Sequence, residues 1–359
     1  MTKLSVGIPK EIKKNEGRVA ITPDGVSELI NNGIEVYVEK SAGKGASIYD
    51  DAYIASGAKM CDASTAWSQD LVVKVKEPQA SEFQYFRDDL VLFTYLHLAA
   101  YPNVAKALCE KNVTAFAYET VTVNNALPLL APMSEIAGRL AVQVACRFLE
   151  SPQGGRGILI SGAPGVSPAK IVVLGAGHVG VNAALLASAL GANVEIFDIN
   201  LDRLREIDLM FHGKITTRAS SHGSISASIK TADCVIGAVL VPGGRAPIVV
   251  DEDMVKTMMP GSVIVDTAID QGGCISTSHE TSHTEPTYVL HDVVHYAVGN
   301  MPGAVSHTST YALTNATLPF IVAIARLGID DSIKNKVGLL EGLNTRDGQV
   351  VNKIVKATL

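Results

Sequence analysis

Short β-branched runs alternate with longer stretches of helical periodicity along the chain, the pattern of an α/β protein. Residues 4–8 read as a strand. Thr22-Pro23-Asp24 then offers an N-cap with Pro at the first helical position, opening a helix to about Asn32 that Gly33 ends. Further strands are predicted at 35–39, 70–76, 90–95 and 113–118, with a helix from about Asn103 before the last. That alternation predicts one parallel-sheet domain over the first third.

Pro132-Met133-Ser134-Glu135 opens a long helix to about Leu149, with Ala, Leu and Val at helical spacing. A Gly- and Pro-rich loop over 151–168 leads into the strongest strand, 171–174. The second region continues through Ile196, Val235, Ile248 and residues 263–265. After Asn300-Met301-Pro302-Gly303 comes a helical stretch over 309–327 with no new strand series, so the C-terminal helices are expected to rejoin the first domain. The expected fold is therefore α/β, two Rossmann-like domains with parallel sheets separated by a cleft. Residues 1–130 plus 305–359 form one and residues 131–304 the other.

Composition narrows the class of protein. The 359 residues are 47% hydrophobic and 18% charged, enough apolar surface for two ordinary cores and too apolar for long disorder. A net charge of -6 and 5% aromatics argue against a nucleic-acid partner, which calls for a basic, stacking face. Cys61, Cys109, Cys146, Cys234 and Cys274 are odd in number and lack C-x-x-C spacing, so they read as buried free thiols in a reducing cytosol. The N-terminus has no apolar h-region, and apolar stretches such as 183–190 fall short of the roughly 20 residues a bilayer requires. Neither secretion nor a membrane is expected.

The strongest motif follows the 171–174 strand. Gly175-Ala176-Gly177-His178-Val179-Gly180 runs into an Ala-rich helix, which is G-x-G-x-x-G in its confirming context. The first glycine permits the turn, the second admits a pyrophosphate, and the third lets helix and strand pack closely. The positive helix end stabilises the diphosphate. The next strand, 194–197, ends at Asp198, about 20 residues on, where a carboxylate accepts from ribose hydroxyls and repels a 2′-phosphate. That favours NAD over NADP, with nearby Arg203 as the counterweight. The second domain is thus the dinucleotide-binding one, and His178 reads as a surface or cofactor-lining residue.

A nicotinamide enzyme also needs groups that fix substrate and exchange protons. Arg18, before the Thr22 helix, has the fork geometry for a carboxylate; the alternative is a solvated ion pair with Glu16. Lys74 and Lys76 end the third predicted strand on one face, at the mouth where open α/β sheets bind ligands, or else are edge lysines reaching for water. His97 lies just beyond a strand; histidine as a residue type suits acid–base work, and the alternative is a core histidine. Asp270 follows a strand and precedes a turn, while Asp266 reads as a structural acceptor. His279 with His283, and His291 with His295, have i, i+4 spacing, but no Glu completes H-E-x-x-H and residues 289–298 read as strand, so no metal is expected.

Taken in order, Gly7-Ile8-Pro9-Lys10-Glu11, the Arg18 stretch, Lys74-Val75-Lys76-Glu77-Pro78, residues 94–100, Ala117-Tyr118-Glu119-Thr120, Pro132-Met133-Ser134-Glu135, Asp270-Gln271-Gly272-Gly273 and Asn300-Met301-Pro302-Gly303 resemble the alanine dehydrogenase family, which includes the NAD-binding subunit of transhydrogenase. The resemblance spans essentially the whole chain. It implies reversible NAD-dependent deamination of L-alanine to pyruvate and ammonium, as in L-alanine catabolism. It implies Arg18 and Lys76 as carboxylate-binding residues, Lys76 also near the carbonyl oxygen, and His97 with Asp270 as the catalytic pair. On the cofactor side it adds Ser134, Asp198, Arg203, Ser220, Val239, Leu240, Thr267, Ala268, Ile269, Asp270, Val298, Gly299, Asn300 and Met301 to the glycine turn. It further implies a cytoplasmic homohexamer and domain closure. Rival readings are a transhydrogenase subunit, a saccharopine-type dehydrogenase and a non-catalytic NAD-binding sensor.

Overall fold

The computed structural model describes residues 3–239 and 245–358. The chain divides into two compact units, Met1–Met133 with Gly303–Leu359, and Ser134–Pro302. In chain order the strands are β1 (Val6–Ile8), β2 (Val36–Glu39), β3 (Lys59–Cys61), β4 (Leu71–Val73), β5 (Val91–Thr94), β6 (Thr114–Ala117), β7 (Lys170–Leu174), β8 (Asn193–Asp198), β9 (Thr216–Ala219), β10 (Cys234–Gly237), β11 (Val263–Asp266), β12 (Thr287–Leu290), β13 (Val293–Tyr296), β14 (Leu343–Arg346) and β15 (Gln349–Val350).

In the first unit the sheet order is β15-β14-β6-β5-β4-β1-β2-β3, with β1 to β6 parallel. In the second it is β12-β13-β11-β10-β7-β8-β9, parallel except for β12. Both contain the doubly wound order, which reverses between β1 and β4 and again between β7 and β10. Each reversal opens a crevice at the carboxyl ends of the strands, where ligands bind in such sheets. The central strands β1, β4 and β10 are buried at every residue, as continuous apolar runs covered on both faces should be.

The sequence-based expectation missed the edges. Strand β3 follows the helix Asp50–Ala55, and β9 is exposed along much of its length. Both lie at a sheet edge, where one side faces water and an apolar run is not required. The predicted strand at 70–76 is regular only to Val73. Ile248 is in an exposed loop rather than a strand. The expectation of no strands after residue 300 is overturned as well: β14 pairs antiparallel with β6 and β15 pairs with β14, so neither sheet is wholly parallel. Their link is Asp347-Gly348, both at positive φ, a two-residue hairpin whose Asp-Gly signature was readable in the sequence.

The helical segment Ser306–Asn335, broken at Gly328 where φ is 74, bears on the expectation that apolar stretches are short. By length and composition it is apolar enough to cross a membrane. Within the first unit it buries Thr310, Leu313, Thr314, Thr317, Ile321 and Ile324 at intervals of three and four, a helical stripe. Val19 N–H donates to Thr310 Oγ1 at 3.2 Å, and Leu4 N–H to the Ala325 carbonyl at 2.8 Å. Of the five free cysteines, only Cys234 and Cys274 are buried; the other three are half-buried.

Candidate functional site

In the first unit the segments after β1, β4 and β5 carry the candidate residues, which is what the reversal between β1 and β4 provides. Arg18 is 2% exposed and its partner Glu16 0%, so the solvated-pair alternative is replaced by a buried one. Arg18 Nη2 lies 2.5 Å from Glu16 Oε2 and Nε donates to Oε1 at 2.7 Å, a bidentate arrangement. Burial works against the cation, but Glu16 outweighs it and holds the guanidinium pKa up. Nη1 is 3.0 Å from Met133 Sδ.

His97 is half-buried, so it is not a core histidine. Its ring stacks on Tyr95 with centroids 5.7 Å apart, and the Tyr95 hydroxyl donates to the Leu129 carbonyl at 2.6 Å. Burial pushes the Tyr95 phenol well up, with Arg18 pulling the other way. The His97 backbone sits at φ 46, a left-handed conformation uncommon outside glycine. Glu119 holds it there: the His97 N–H donates to Glu119 Oε1 at 2.6 Å and the Leu96 N–H to both carboxylate oxygens at 3.2 Å. Sequence reasoning gave Glu119 and Tyr95 no role. Glu119 is 22 residues from its donor, and only the β5–β6 pairing brings them together; Tyr95 is near in sequence, but its ring contact with His97 is set by how the segment beyond β5 folds.

The two strand-end lysines separate. Lys74 is fully buried, with Nζ 3.1 Å from Glu11 Oε2 and 3.0 Å from Glu82 Oε1, while Lys76 remains partly exposed. Lys74 is therefore no candidate ligand group. Burial disfavours its ammonium, but the two carboxylates outweigh this and raise its pKa.

In the second unit the glycine turn lies between β7 and the helix His178–Ala189, at the reversal between β7 and β10. Gly175 has φ 99, and a Cβ on Gly180 would overlap the Gly175 carbonyl oxygen. Gly177, the helix N-cap, instead faces open space. Packing around the first and third glycines and room in front of the second is the cradle a pyrophosphate needs, so these residues fit a dinucleotide. His178 is exposed and Val179 half-buried at the helix start.

Asp198 Oδ2 accepts from Ala176 N–H at 2.8 Å and Oδ1 from Asn200 N–H at 2.8 Å, leaving lone pairs for hydroxyl donors. Arg203 Nε donates to the Ala176 carbonyl at 2.9 Å and Nη1 pairs with Glu206 at 2.7 Å, which commits its guanidinium to the protein and weakens the case for a 2′-phosphate. The Ser220 N–H donates to the Asp198 carbonyl at 2.9 Å. Thr267 donates from Oγ1 to the Gly237 carbonyl at 2.7 Å, and Ala268 and Ile269 are buried below it. Asp270 is exposed, and both its oxygens accept from Asn300 N–H at 3.2 Å, which joins it to the loop of Val298, Gly299, Asn300 and Met301. Val239 packs against the core that includes Ala268. Ser134 is half-buried, and Leu240 lies outside the described residues.

Asp266 is the structural acceptor, taking the N–H groups of Ala268, Cys274 and Ile275. The histidine pairs do not converge: His279 stacks on Tyr288, His291 meets Glu252 at 2.8 Å, and His295 meets Thr277 at 2.8 Å. Among the described residues no three His, Cys, Asp or Glu side chains form a metal-binding group.

Against known proteins, residues 7–137 match the family model "Alanine dehydrogenase/PNT, N-terminal domain" and residues 141–353 the C-terminal domain. The chain is 53% identical over 356 residues to an alanine dehydrogenase of Bacillus subtilis (strain 168), covering 99% of this chain and 94% of that one. A solved L-alanine dehydrogenase superposes with a TM-score of 0.96 at 48% identity, covering 99% and 98% of the two chains. A transhydrogenase from Sinorhizobium meliloti gives 0.84 at 27%, covering 97% and 99%.

Proposed function

The chain belongs to the alanine dehydrogenase/PNT family, and from that premise we propose that it is an NAD-dependent dehydrogenase interconverting L-alanine with pyruvate and ammonium. The observation that carries this reading is the trio at the carboxyl ends of the first unit's central strands: a buried arginine, a lysine and a half-buried histidine. An amino acid undergoing dehydrogenation needs a carboxylate anchor, a group that polarises the developing C=N or C=O, and a proton exchanger near neutrality.

In this reading Arg18 and Lys76 bind the substrate carboxylate, with Lys76 also beside the carbonyl oxygen. Glu16 occupies the Nε–Nη2 edge of Arg18 and fixes the guanidinium plane, so that its other edge orients the carboxylate at little entropic cost. The glycine turn, Asp198 and the loops around Val239, residues 267–270 and 298–301 would hold NAD, which would supply the hydride acceptor. Loss of hydride from Cα of alanine in its neutral-amine form gives iminopyruvate as the protonated imine. Water adds to it while His97 exchanges protons, and the carbinolamine collapses to pyruvate and ammonia; the family resemblance supports Asp270 as a second acid–base residue. The Glu119 clamp supports this role by holding the His97 main chain in one conformation.

The test is oxidation of NADH by the isolated chain, followed by the absorbance of the reduced nicotinamide. Turnover that requires both pyruvate and ammonium supports the reading. Hydride exchange between nucleotides without an amino or keto acid would make it a transhydrogenase component, and binding without turnover a sensor. The family resemblance supports two finer elements of the reading, a cytoplasmic location and assembly as a homohexamer; sedimentation of the purified chain tests the second.

A further inference from the structure

Lys76 lies just past the regular end of β4, and the last main-chain bond to the β5 segment is the Tyr95 N–H to the Val75 carbonyl at 3.3 Å. Side chains hold the chain from there on. The Val75 N–H, one residue before Lys76, donates to Glu11 Oε1 at 2.6 Å, and Val75 is fully buried, so that donor has no water to turn to. The Lys76 carbonyl accepts from Thr94 Oγ1 at 2.9 Å. Three residues on, the Gln79 N–H donates to Glu82 Oε2 at 2.7 Å as part of a capping box. The remaining oxygens of Glu11 and Glu82 meet on one ammonium, that of Lys74, which also lies 5.8 Å from the centre of the Trp67 ring. One buried cation thus ties the clamp before Lys76 to the clamp after it.

A buried ion cluster is weak evidence for stability alone, because desolvation offsets much of the attraction. Its value here is geometric. Resting on the reading of Lys76 as a substrate-binding residue, we propose that Glu11 is a positioning residue for Lys76, and that the Glu11–Lys74–Glu82 cluster pins the main chain on both sides of that lysine.

A double-mutant cycle on the full chain tests this, with Lys76→Ala, Glu11→Ala and the double variant compared in reductive amination. Glu11→Ala is expected to raise the pyruvate KM by about tenfold or more, to leave the NADH KM within about twofold, and to add nothing once Lys76 is alanine. Additive effects, or parallel rises in both KM values, assign the cluster to fold stability and overturn the proposal. If Glu11→Gln is needed because Glu11→Ala fails to fold by circular dichroism, it carries the same cycle: an amide NH2, which cannot accept, replaces the oxygen that serves either Val75 or Lys74, and an unchanged pyruvate KM overturns the proposal. A Lys76→Ala variant with a normal pyruvate KM refutes the reading of Lys76 itself, and the proposal falls with it.

Discussion

Replacing Arg18 by Met removes a guanidinium that is almost wholly buried and leaves the Glu16 carboxylate, 0% exposed, without its bidentate partner. Breaking a buried pair from one side costs about 3–5 kcal/mol, because the surviving charge stays desolvated. For a unit of this size that is a fall in melting temperature of roughly 6–20 °C. Substrate binding should suffer separately. Loss of a charged hydrogen-bond set worth about 1.5–3 kcal/mol raises the pyruvate KM by about 10- to 150-fold. The double variant Arg18→Met/Glu16→Gln separates the two effects: with no charge left to bury, stability should return to within about 1–2 kcal/mol of the parent, while the KM stays high. Urea unfolding and steady-state kinetics on the parent and both variants measure each quantity. An Arg18→Met chain with parental stability, or a double variant no more stable than the single, would refute the account of a desolvated pair.

The glycine turn predicts opposite outcomes at its second and third glycines. Gly180→Ala forces a methyl onto the Gly175 carbonyl and should lower stability by about 1–3 kcal/mol or more, whereas Gly177→Ala, facing open space, should keep the melting temperature and weaken NADH binding by about tenfold. Equal stability losses in the two would count against this reading of the turn. Burial lowers the His295 pKa below 6.5, with the Val293 carbonyl acting the other way. The unfolded chain binds that proton first, so His295 stabilises the fold fully above 6.5 and loses its contribution as pH falls through the lower folded value. The urea midpoint should therefore drop more between about pH 7 and about pH 5 in the parent than in His295→Asn, and equal slopes would remove this residue from the account. Burial pushes the Cys234 and Cys274 thiols far up and Cys61 to about 11, so iodoacetamide should spare the first two until urea unfolds the chain; rapid native labelling of either contradicts their burial.

Some of this protein is settled by local chemistry. Gly175, Gly177 and Gly180 run from a strand end into the first turn of a helix, and the steric demands of a tight turn and close packing act over six residues, so spacing alone reveals them. The central strands are equally legible, because burial on both faces demands an unbroken apolar run. The positions of Arg18, Lys76 and His97 after such strands could also be read from the chain. What surrounds them could not. The edge strands β3, β9 and β15 carry no continuous apolar run, since water takes one side of an edge, and β14, one place in, buries the polar Asn344 and Thr345. Glu16 could have been a solvated partner on spacing alone; only the folded unit removes the water. Lys74 and Lys76 look equivalent in sequence, yet one is enclosed by Glu11, 63 residues earlier, and Glu82, while the other stays partly exposed. Glu119 reaches the His97 turn only because β5 and β6 are neighbours. Periodicity reports which way a side chain points within its own element. Burial and charge pairing are fixed by which elements the topology brings beside it, so only the tertiary structure decided those partners.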